Sequence, residues 1–292
     1  MENKLKTTLN GVQKTLLIPL WGRAKEYEND SAIIRDKYAH EIISKLEFDS
    51  TFLQNIPAHL QINSAIRAFN FDKEILDVIS AWPDATIINI GAGLDTTFHR
   101  IDNGRIFWYD LDLEDTIFLR NQLIPQGERN KYIAKSVFDR SWFKDIEIRG
   151  AKILIIAAGL LAYFNEKEVK GLLNDLLKEF PNSEMVFEIY SKIMLWLNRL
   201  GERQNKCKSD IEARMRWAIN SAESVAKWNQ HIEIINEYPF YSKVKIDEHW
   251  AKQDISSIKV IKFFNAIKMV HLKFNEKLQL TKKSSERKKL RR

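Results

Sequence analysis

The spacing of apolar residues changes character near residue 85. Upstream, apolar side chains recur three or four positions apart, which is the period of a helix with one buried face. We expect helix through most of residues 1–50, with Asp30 or Ser31 as a cap, from the spacing of Ile33, Ile34, Tyr38, Ile42, Ile43 and Leu46. A second helix is expected over 71–81, because Trp82 precedes a proline and such a position disfavours helical backbone.

Downstream, short apolar runs rich in β-branched residues alternate with amphipathic segments. The runs predict strands at 86–90, 105–109, 131–135, 152–157 and 184–190, and the amphipathic segments predict helices at 115–123 and 166–180. Strands that are apolar on both faces are typical of a parallel sheet covered by helices. Residues 191–226 have a helical pattern, whereas 232–236 and 265–274 are predicted strands. The predicted fold class is α/β, with a mostly parallel central sheet and an antiparallel last strand.

The same pattern divides the chain into five segments. A helical cap at 1–70 precedes a Rossmann-like core at 71–190, a helical insert at 191–230, strands at 231–276 that complete the core, and a basic tail at 277–292. The tail holds eight Lys or Arg residues and one Glu, which accounts for the whole formal charge of +7. Because the tail has no aromatic residue to stack on bases, we favour a disordered, solvated tail over one that contacts RNA or an anionic surface, and a nucleic-acid partner is not expected.

Composition narrows the class of protein. With 292 residues, 45% of them apolar and including 16 Phe and 8 Trp, the chain can bury a large core. Cys207 is the single cysteine, so an internal disulfide is excluded and a reducing compartment is favoured. The longest apolar run, 153–164, is too short to cross a bilayer, and the first residues lack the layout of a secretory signal. We therefore expect a cytoplasmic protein with no membrane partner.

A glycine turn ends the first predicted strand. Gly91, Ala92 and Gly93 follow Ile90, and glycine lets the backbone turn sharply and approach a ligand closely. In open α/β sheets, ligands bind beyond the carboxyl ends of the strands. Thr96 stands where a dinucleotide-binding loop would have its third glycine, so the loop favours a ligand without phosphate. S-adenosylmethionine is such a ligand, although two glycines also occur in many ordinary strand-to-helix turns.

Two carboxylates come after the next predicted strand. Asp110 and Asp112 lie 19 and 21 residues beyond Gly91, near the spacing at which an acid binds ribose hydroxyls in nucleoside-binding βαβ units. Either acid also suits the start of the following helix, where negative charge is favourable. Arg67 precedes the turn, and arginine binds carboxylates such as that of a methionine moiety; it is also a common surface residue.

Long stretches of the chain resemble the leucine carboxyl methyltransferase superfamily, and most closely its bacterial branch of tetracenomycin-type polyketide O-methyltransferases. The resemblance extends over about residues 9–274 and is carried by LNGVQKTLLIPLWGRAKEYE, IINIGAGLDTTFHRI, WYDLDLEDTIFLRNQLI, SVFDRSWF, AAGLLAYFNEKEVKGLL and FEIYSKIMLWLNRLG. It implies a class I, Rossmann-like methyltransferase fold and S-adenosylmethionine as the cofactor.

The resemblance also implies a set of cofactor-binding residues. Arg67 is expected to bind the methionine carboxylate, and Gly91, Ala92 and Gly93 are expected to lie under the cofactor. Asp112 or Asp110 is expected to bind the ribose. Ser136, Val137 and Asp139 are expected beside the adenine, and Ala157, Ala158 and Gly159 beside the methionine moiety. Many family members carry glutamate at the position of Ala158. Its absence removes a polar contact near the cofactor amino group, and a neighbouring backbone carbonyl is one possible replacement.

Methyl transfer from a sulfonium is a direct displacement that requires alignment of the reacting atoms and no metal. A carboxylate acceptor needs no general base, whereas a phenol or alcohol benefits from one. Tyr163 is a candidate for positioning the acceptor, or else a packed aromatic, and His99 is expected to be structural. His231 and His271 carry little weight, and the six histidines show no metal-binding spacing.

The acceptor pocket is expected between residues 16–27 and 190–230. Large apolar residues there either pack in the core or line a pocket: Met194, Trp196, Leu197, Met215 and Trp217. The predicted function is O-methylation of a hydroxyl or carboxylate on a small, polyketide-like molecule. The alternatives are a protein C-terminal carboxyl methyltransferase and a non-catalytic cofactor-binding protein, and the oligomeric state is left open.

Overall fold

A seven-stranded sheet forms the centre of the computed structural model, which describes residues 5–6, 12–47, 58–204, 214–245 and 252–276. The strands are β1 (Thr86–Ile90), β2 (Phe107–Asp112), β3 (Asn130–Ala134), β4 (Ile153–Ala157), β5 (Glu184–Tyr190), β6 (Ile232–Pro239) and β7 (Ile267–Phe274). Their order is β3-β2-β1-β4-β5-β7-β6. The first five strands are parallel, and β7 runs antiparallel to both β5 and β6. This confirms the predicted α/β class; β7 lies between two strands, and β6 is the edge.

Nine helices belong to the described part of the chain. They are α1 (Val12–Tyr27), α2 (Lys37–Lys45), α3 (Ala58–Ala81), α4 (Thr97–Ile101), α5 (Glu114–Leu123), α6 (Glu166–Glu179), α7 (Lys192–Gln204), α8 (Glu223–Ala226) and α9 (Lys252–Phe263). Short 3-10 turns cover Arg140–Asp145 and Leu161–Tyr163, and Leu5–Lys6 pairs with Leu46–Glu47. None of the helices in these ranges is long and apolar enough to cross a membrane.

Apolar residues on both faces of the strands explain why the sheet is covered on both sides. Along β1, Ile88 and Ile90 belong to one buried cluster, and Ile87 belongs to the other. The helix α6 covers the first face with Val169, Leu172, Leu173, Leu176 and Leu177, and α3 covers the second. Asn165 and Glu168 form a capping box that begins α6. Each fully buried leucine contributes about 1.5–3 kcal/mol, so this face alone fixes the helix on the sheet.

Two predictions about the N-terminal helices are wrong in detail. The cap is neither Asp30 nor Ser31: Asp36 caps α2 and accepts the N–H of Ala39 at 2.9 Å. The apolar pair Ile33 and Ile34 lies before the helix. The prediction included the pair because a spacing of three or four residues also occurs in an irregular segment that packs on a core. The second helix begins at Ala58 and not at residue 71, so α3 extends across the predicted segment boundary at residue 70.

Two further predictions differ downstream. The predicted strand 105–109 lies at 107–112, so Asp110 and Asp112 are part of β2 and do not follow it. Within 191–226, α7 and α8 are helical, but 214–219 is not, because its backbone bonds to neighbouring loops. Cys207 and the basic tail at 277–292 lie outside the described residues. The five-segment division stays a prediction.

Candidate functional site

A left-handed glycine turn leads from β1 towards α4. Gly91 has φ +69° and Gly93 has φ +51°, a region that residues with a Cβ rarely adopt. A Cβ on Gly91 would lie 2.7 Å from Cδ1 of Leu160, and a Cβ on Gly93 would lie 3.1 Å from Cδ2 of Leu16. The N–H groups of Gly91 and Ala92 donate to one backbone carbonyl of β2. The turn therefore needs glycine for its conformation and is tied to the neighbouring strand.

Asp112, the last residue of β2, contacts this turn. Its Oδ2 accepts the N–H of Gly93 at 2.7 Å, and its Oδ1 accepts the N–H of Leu113 at 2.7 Å. Burial raises the pKa of Asp112, and the two backbone hydrogen bonds oppose that rise. Each carboxylate oxygen has a second lone pair. The side chain is thus fixed by backbone and retains acceptor capacity at the carboxyl end of the strand.

Asp110, two residues earlier on β2, lies in the core. It is fully buried, and its carboxylate accepts hydrogen bonds from Asn89, Trp108 and Arg120 at 2.6–2.9 Å. Burial raises the pKa of Asp110, and the Arg120 guanidinium opposes the rise. The sequence left open which of the two acids serves a ligand. Asp110 is already paired inside the protein, and Asp112 is the one beside the glycine turn.

A buried ion network joins the N-terminal helices to the turn. Asp36 pairs with Arg23 at 2.8 Å and with Arg100 at 2.7 Å, and it accepts the hydroxyl of Thr96 at 2.6 Å. Arg100 also pairs with Asp72 of α3 at 2.8 Å. Burial would raise the pKa of Asp36, but the two arginines outweigh it and hold that pKa below its usual value. The network fixes α1, α2 and α3 against the residues that follow Gly93.

A second group of polar residues surrounds the turn after β4. Gly159, which follows Ala157 and Ala158, has φ +67°, and a Cβ there would lie 3.2 Å from Nη1 of Arg67. Arg67 Nε lies 2.7 Å from Oε1 of Glu188, and Arg67 Nη2 donates to the Tyr190 hydroxyl at 2.9 Å. The N–H of Gly159 donates to the same Glu188 oxygen at 2.7 Å. The cluster thus joins α3 to the carboxyl ends of β4 and β5.

The cluster of Arg67, Tyr190 and Glu188 contains a polar atom that has no hydrogen-bond partner among the described residues. Burial would lower the pKa of Arg67, but its interactions with Tyr190 and Glu188 raise it, so the guanidinium stays charged. Burial raises the pKa of Tyr190, so its hydroxyl stays protonated. Glu188 is 3% exposed, and its Oε2 is buried without a hydrogen-bond partner among the described residues. An unpaired buried oxygen of this kind is costly and needs an explanation.

The residues expected beside adenine lie in the loop after β3. Asp112 is in register with Ala134, so this loop leaves the sheet at the same edge as Asp112. Asp139 caps the following 3-10 turn and accepts the N–H of Ser141 at 3.0 Å, a hydrogen bond that lowers the pKa of Asp139. The hydroxyl of Ser136 is bonded within the loop, and Val137 packs against the core. Asp139 is exposed, and the role of these three residues beside adenine stays a prediction.

Tyr163 lies in the 3-10 turn after β4, beside the cluster of Arg67 and Glu188. Burial raises its pKa; the nearby Arg67 opposes the rise and Glu188 adds to it. The side chain is still 40% exposed. A phenol with a raised pKa stays protonated at neutral pH, so Tyr163 suits hydrogen-bond donation and not proton abstraction.

A cavity of about 320 Å³ lies between α7 and the segment around Arg216. The N–H groups of Arg216 and Trp217 donate to the carbonyl of Ala162, which ties this segment to the turn after β4. The walls combine two tryptophans, three cations and one acid, and they comprise Glu166, Lys192, Leu195, Trp196, Arg199, Arg216, Trp217 and Ala218. Of the five apolar candidates from this region, Trp196 and Trp217 line the cavity, and Met215 contacts Asn198.

Two of the described histidines, His99 and His271, are engaged in packing or in ion pairs. His99 stacks on Tyr38 with ring centroids 4.2 Å apart, and burial lowers its pKa. His271 lies between Glu74 and Glu184, at 3.1 and 3.0 Å. Burial would lower the pKa of His271, but both glutamates raise it. Among the described residues, no three His, Cys, Asp or Glu side chains group as metal ligands would.

Sequence reasoning missed the charged residues that hold the site. Asp36, Arg23 and Arg100 come from separate segments, and only the fold shows that they meet. Glu188 sits inside an apolar strand, and Arg120 inside a predicted helix. A charged residue within an otherwise apolar run was the available signal, because a buried charge is tolerated only when it is paired.

The model of the leucine carboxyl methyltransferase family matches residues 17–177. The chain is 23% identical over 261 residues to the tetracenomycin polyketide synthesis O-methyltransferase TcmP of Streptomyces glaucescens, covering 87% of this chain and 94% of that protein. It is 30% identical over 202 residues to the S-adenosyl-L-methionine-dependent methyltransferase dpfgK of Gibberella zeae, covering 64% of this chain and 67% of that protein.

Among solved structures, the chain is similar to a DUF574 family protein from Streptomyces avermitilis. The TM-score is 0.52 at 12% sequence identity, and the similarity covers 87% of this chain and 96% of that one. At this identity the similarity concerns the fold alone. It agrees with the sheet described above, in which five parallel strands are followed by an antiparallel pair.

Proposed function

Because the chain belongs to the leucine carboxyl methyltransferase family, we propose that it transfers a methyl group from S-adenosylmethionine to an oxygen of a small, polyketide-like acceptor. The family and the relatives make the chain an S-adenosylmethionine-dependent methyltransferase, which confirms the predicted resemblance and cofactor. The acceptor is the proposal, and it is supported by the similarity to a polyketide O-methyltransferase and by the cationic cavity.

We call the region at the carboxyl ends of β1 and β2, beside Gly91–Gly93, the crevice, and the contact between Asp112 and Gly93 supports its assignment to the cofactor. It holds a carboxylate with acceptor capacity at the end of β2, beside a turn that has no Cβ. A nucleoside sugar needs such an acceptor, and an adenosyl group needs such an open turn. In this assignment Asp112 accepts the ribose hydroxyls, and Gly91, Ala92 and Gly93 lie under the cofactor.

The remaining cofactor contacts are proposed for residues at the same edge of the sheet. Arg67 uses Nη1, which has no hydrogen bond to the described residues, for the methionine carboxylate. The adenine lies against the loop of Ser136, Val137 and Asp139, and the methionine moiety lies beside Ala157, Ala158 and Gly159. When bound, S-adenosylmethionine supplies a methyl group that is already activated by its sulfonium. The protein's task is then to align the acceptor and exclude water.

The cavity beside α7 is proposed as the acceptor site. Its volume of about 320 Å³ is within the range of small-molecule pockets. Trp196 is exposed and offers a flat apolar surface, and the cations Lys192, Arg199 and Arg216 outnumber the single acid Glu166. Such walls favour an aromatic molecule with a negative charge.

The protonation states favour an acceptor that is ionised before it binds. Tyr163 has a raised pKa and stays protonated, and His99 is packed against Tyr38 with a lowered pKa. Neither is suited to remove a proton from an alcohol. A carboxylate or an acidic phenol needs no such base, and we propose that Tyr163 donates a hydrogen bond to position the acceptor.

Calorimetry and methyl transfer test the proposal in sequence. We expect the chain to bind S-adenosylmethionine and S-adenosylhomocysteine, and absence of heat with both would remove the assignment of the crevice. Labelled methyl transfer is then compared between aromatic carboxylates, phenols and the matching neutral amides. We expect label on the first two classes. Label on a peptide C-terminus alone would favour the protein carboxyl methyltransferase instead.

The two alternatives, a protein C-terminal carboxyl methyltransferase and a non-catalytic cofactor-binding protein, stay predictions. The predicted cytoplasmic location and the absence of membrane and nucleic-acid partners stay predictions.

A further inference from the structure

Glu188 is bonded unevenly through its two carboxylate oxygens. Oε1 accepts the N–H of Gly159 at 2.7 Å, lies 2.7 Å from Nε of Arg67, and lies 3.4 Å from the hydroxyl of Tyr190. Oε2 is buried and has no hydrogen-bond partner in the described part of the chain. The side chain as a whole is 1% exposed. One half of this carboxylate is therefore fixed by the protein, and the other half is left without a donor.

A buried oxygen without a donor points to a missing cationic or donor group. Leaving such an atom unpaired costs the full penalty of removing it from water. The neighbouring side chain of Ala158 is a methyl group and offers no polar contact. Near Gly159, Nη1 of Arg67 has no acceptor among the described residues, and Nε of Arg67, although 2.7 Å from Oε1, also has no hydrogen-bond partner there. An acceptor without a donor and a guanidinium with free donors thus lie beside one glycine.

We propose that Oε2 of Glu188 binds the α-ammonium group of the methionine moiety of S-adenosylmethionine, while Nη1 of Arg67 binds its carboxylate. An amino-acid zwitterion carries an ammonium and a carboxylate on one carbon, so it offers a donor to Oε2 and an acceptor to Nη1. This inference rests on the proposed function. It assigns to Glu188 the contact that Ala158 is unable to make.

The competing explanation is that Glu188 only positions Arg67. In that case its loss would weaken every ligand that carries the carboxylate, whether or not the ammonium is present. A ligand without the ammonium separates the two explanations. The suitable probe is the analogue of S-adenosylhomocysteine in which hydrogen replaces the α-amino group and the carboxylate is retained.

The test is a thermodynamic cycle measured by calorimetry. It compares the unsubstituted chain and the Glu188→Gln variant, each with the two ligands. For S-adenosylhomocysteine we expect the substitution to weaken binding about 10- to 100-fold, the range for a charge-assisted hydrogen bond. For the analogue without the ammonium we expect a change of no more than about twofold. The Tyr190→Phe variant is the matched control, because Tyr190 contacts Oε1 and Arg67, and it should affect both ligands equally.

The outcomes separate this inference from the proposed function. If the unsubstituted chain fails to bind S-adenosylhomocysteine, the proposed function fails. If it binds, and Glu188→Gln weakens both ligands equally, Glu188 is a positioning residue and the inference is overturned. Thermal melting verifies that the variant folds. If Glu188→Gln does not fold, Glu188→Asp keeps the negative charge near Arg67 while withdrawing the carboxylate by one methylene, and a larger loss for S-adenosylhomocysteine than for the analogue is still expected.

Discussion

The glycine-turn side of the site and the cavity side hold their polar groups in different ways. Around the turn, Asp110, Asp36 and Arg120 are buried and paired, and Asp112 is fixed by two backbone N–H groups. Around the cavity, the charges sit on long side chains, and Trp196 is 57% exposed. The fixed polar groups of the glycine-turn side suit a cofactor, which is the same for every acceptor. The second side can change its specificity with little cost to the fold.

The strongest test of this contrast is the Asp36→Ala variant. It leaves Arg23 and Arg100 buried without their shared carboxylate, and breaking such a buried pair costs about 3–5 kcal/mol. Denaturant unfolding measures the loss. Asp175→Ala is the control, because it breaks an ion pair with the exposed Arg140 and should cost less than about 1 kcal/mol. Equal losses in the two variants would refute the contrast.

The second test separates the two acids of β2. We expect Asp112→Asn to weaken S-adenosylhomocysteine binding by about 1–3 kcal/mol, because a charged acceptor for the ribose is lost. Its melting temperature should fall less than that of Asp110→Asn, because the amide oxygen still accepts the Gly93 N–H and the exposed Leu113 N–H can bond to water. Asp110→Asn should instead lower the stability, since Arg120 loses its buried partner. Calorimetry and thermal melting on both variants decide, and a reversed pattern would assign the ribose to Asp110.

The third test addresses the cavity side. Arg199→Ala should raise the acceptor KM by about fivefold, or about 1 kcal/mol, because it removes one of three cations from the walls. Binding of S-adenosylhomocysteine should be unchanged. Lys170→Ala, an exposed position on α6, is the control for loss of positive charge alone. A loss of cofactor affinity in Arg199→Ala would contradict the separation of the two sides.

The smallest effect is expected at His271, which contacts neither side. Its pKa is raised by Glu184 and Glu74 despite burial, so protonation stabilises the folded state. That contribution is complete below the unfolded pKa of about 6.5 and disappears as the pH rises through the higher folded pKa. Unfolding free energies from pH 6 upward should fall for the unsubstituted chain and stay flatter for His271→Gln. Parallel profiles would contradict this.

The sequence predicted β1 and β5 well because both strands are short and mostly apolar. The runs at 86–90 and 184–190 agree with β1 and β5 residue for residue. The strand at 105–109 was misplaced, because two acids were taken as the end of the run. Asp110 belongs to the buried strand, since Arg120, Asn89 and Trp108 satisfy its carboxylate. Local pattern carries no information about a partner ten or more residues away.

The candidate site was predictable where its residues lie close together in sequence. Gly91, Gly93 and Asp112 belong to one βαβ unit, so spacing alone brings them together. The cluster of Arg67 and Glu188 joins residues 121 positions apart, and only the strand order places them beside Gly159. The cavity depends on 214–218 bonding to the turn after β4, a contact that no period in the sequence encodes.

The network at Asp36 has a consequence for exchanging parts between relatives. Four of its members come from separate parts of the chain: Arg23 from α1, Asp72 from α3, Arg100 from α4, and Asp36 from the position that caps α2. A chimera that imports a foreign N-terminal region without its matching partners at 72, 96 and 100 would place an unmatched charge in the interior. The N-terminal helices can therefore be exchanged only together with residues 72, 96 and 100. The residues around the cavity can vary without this constraint.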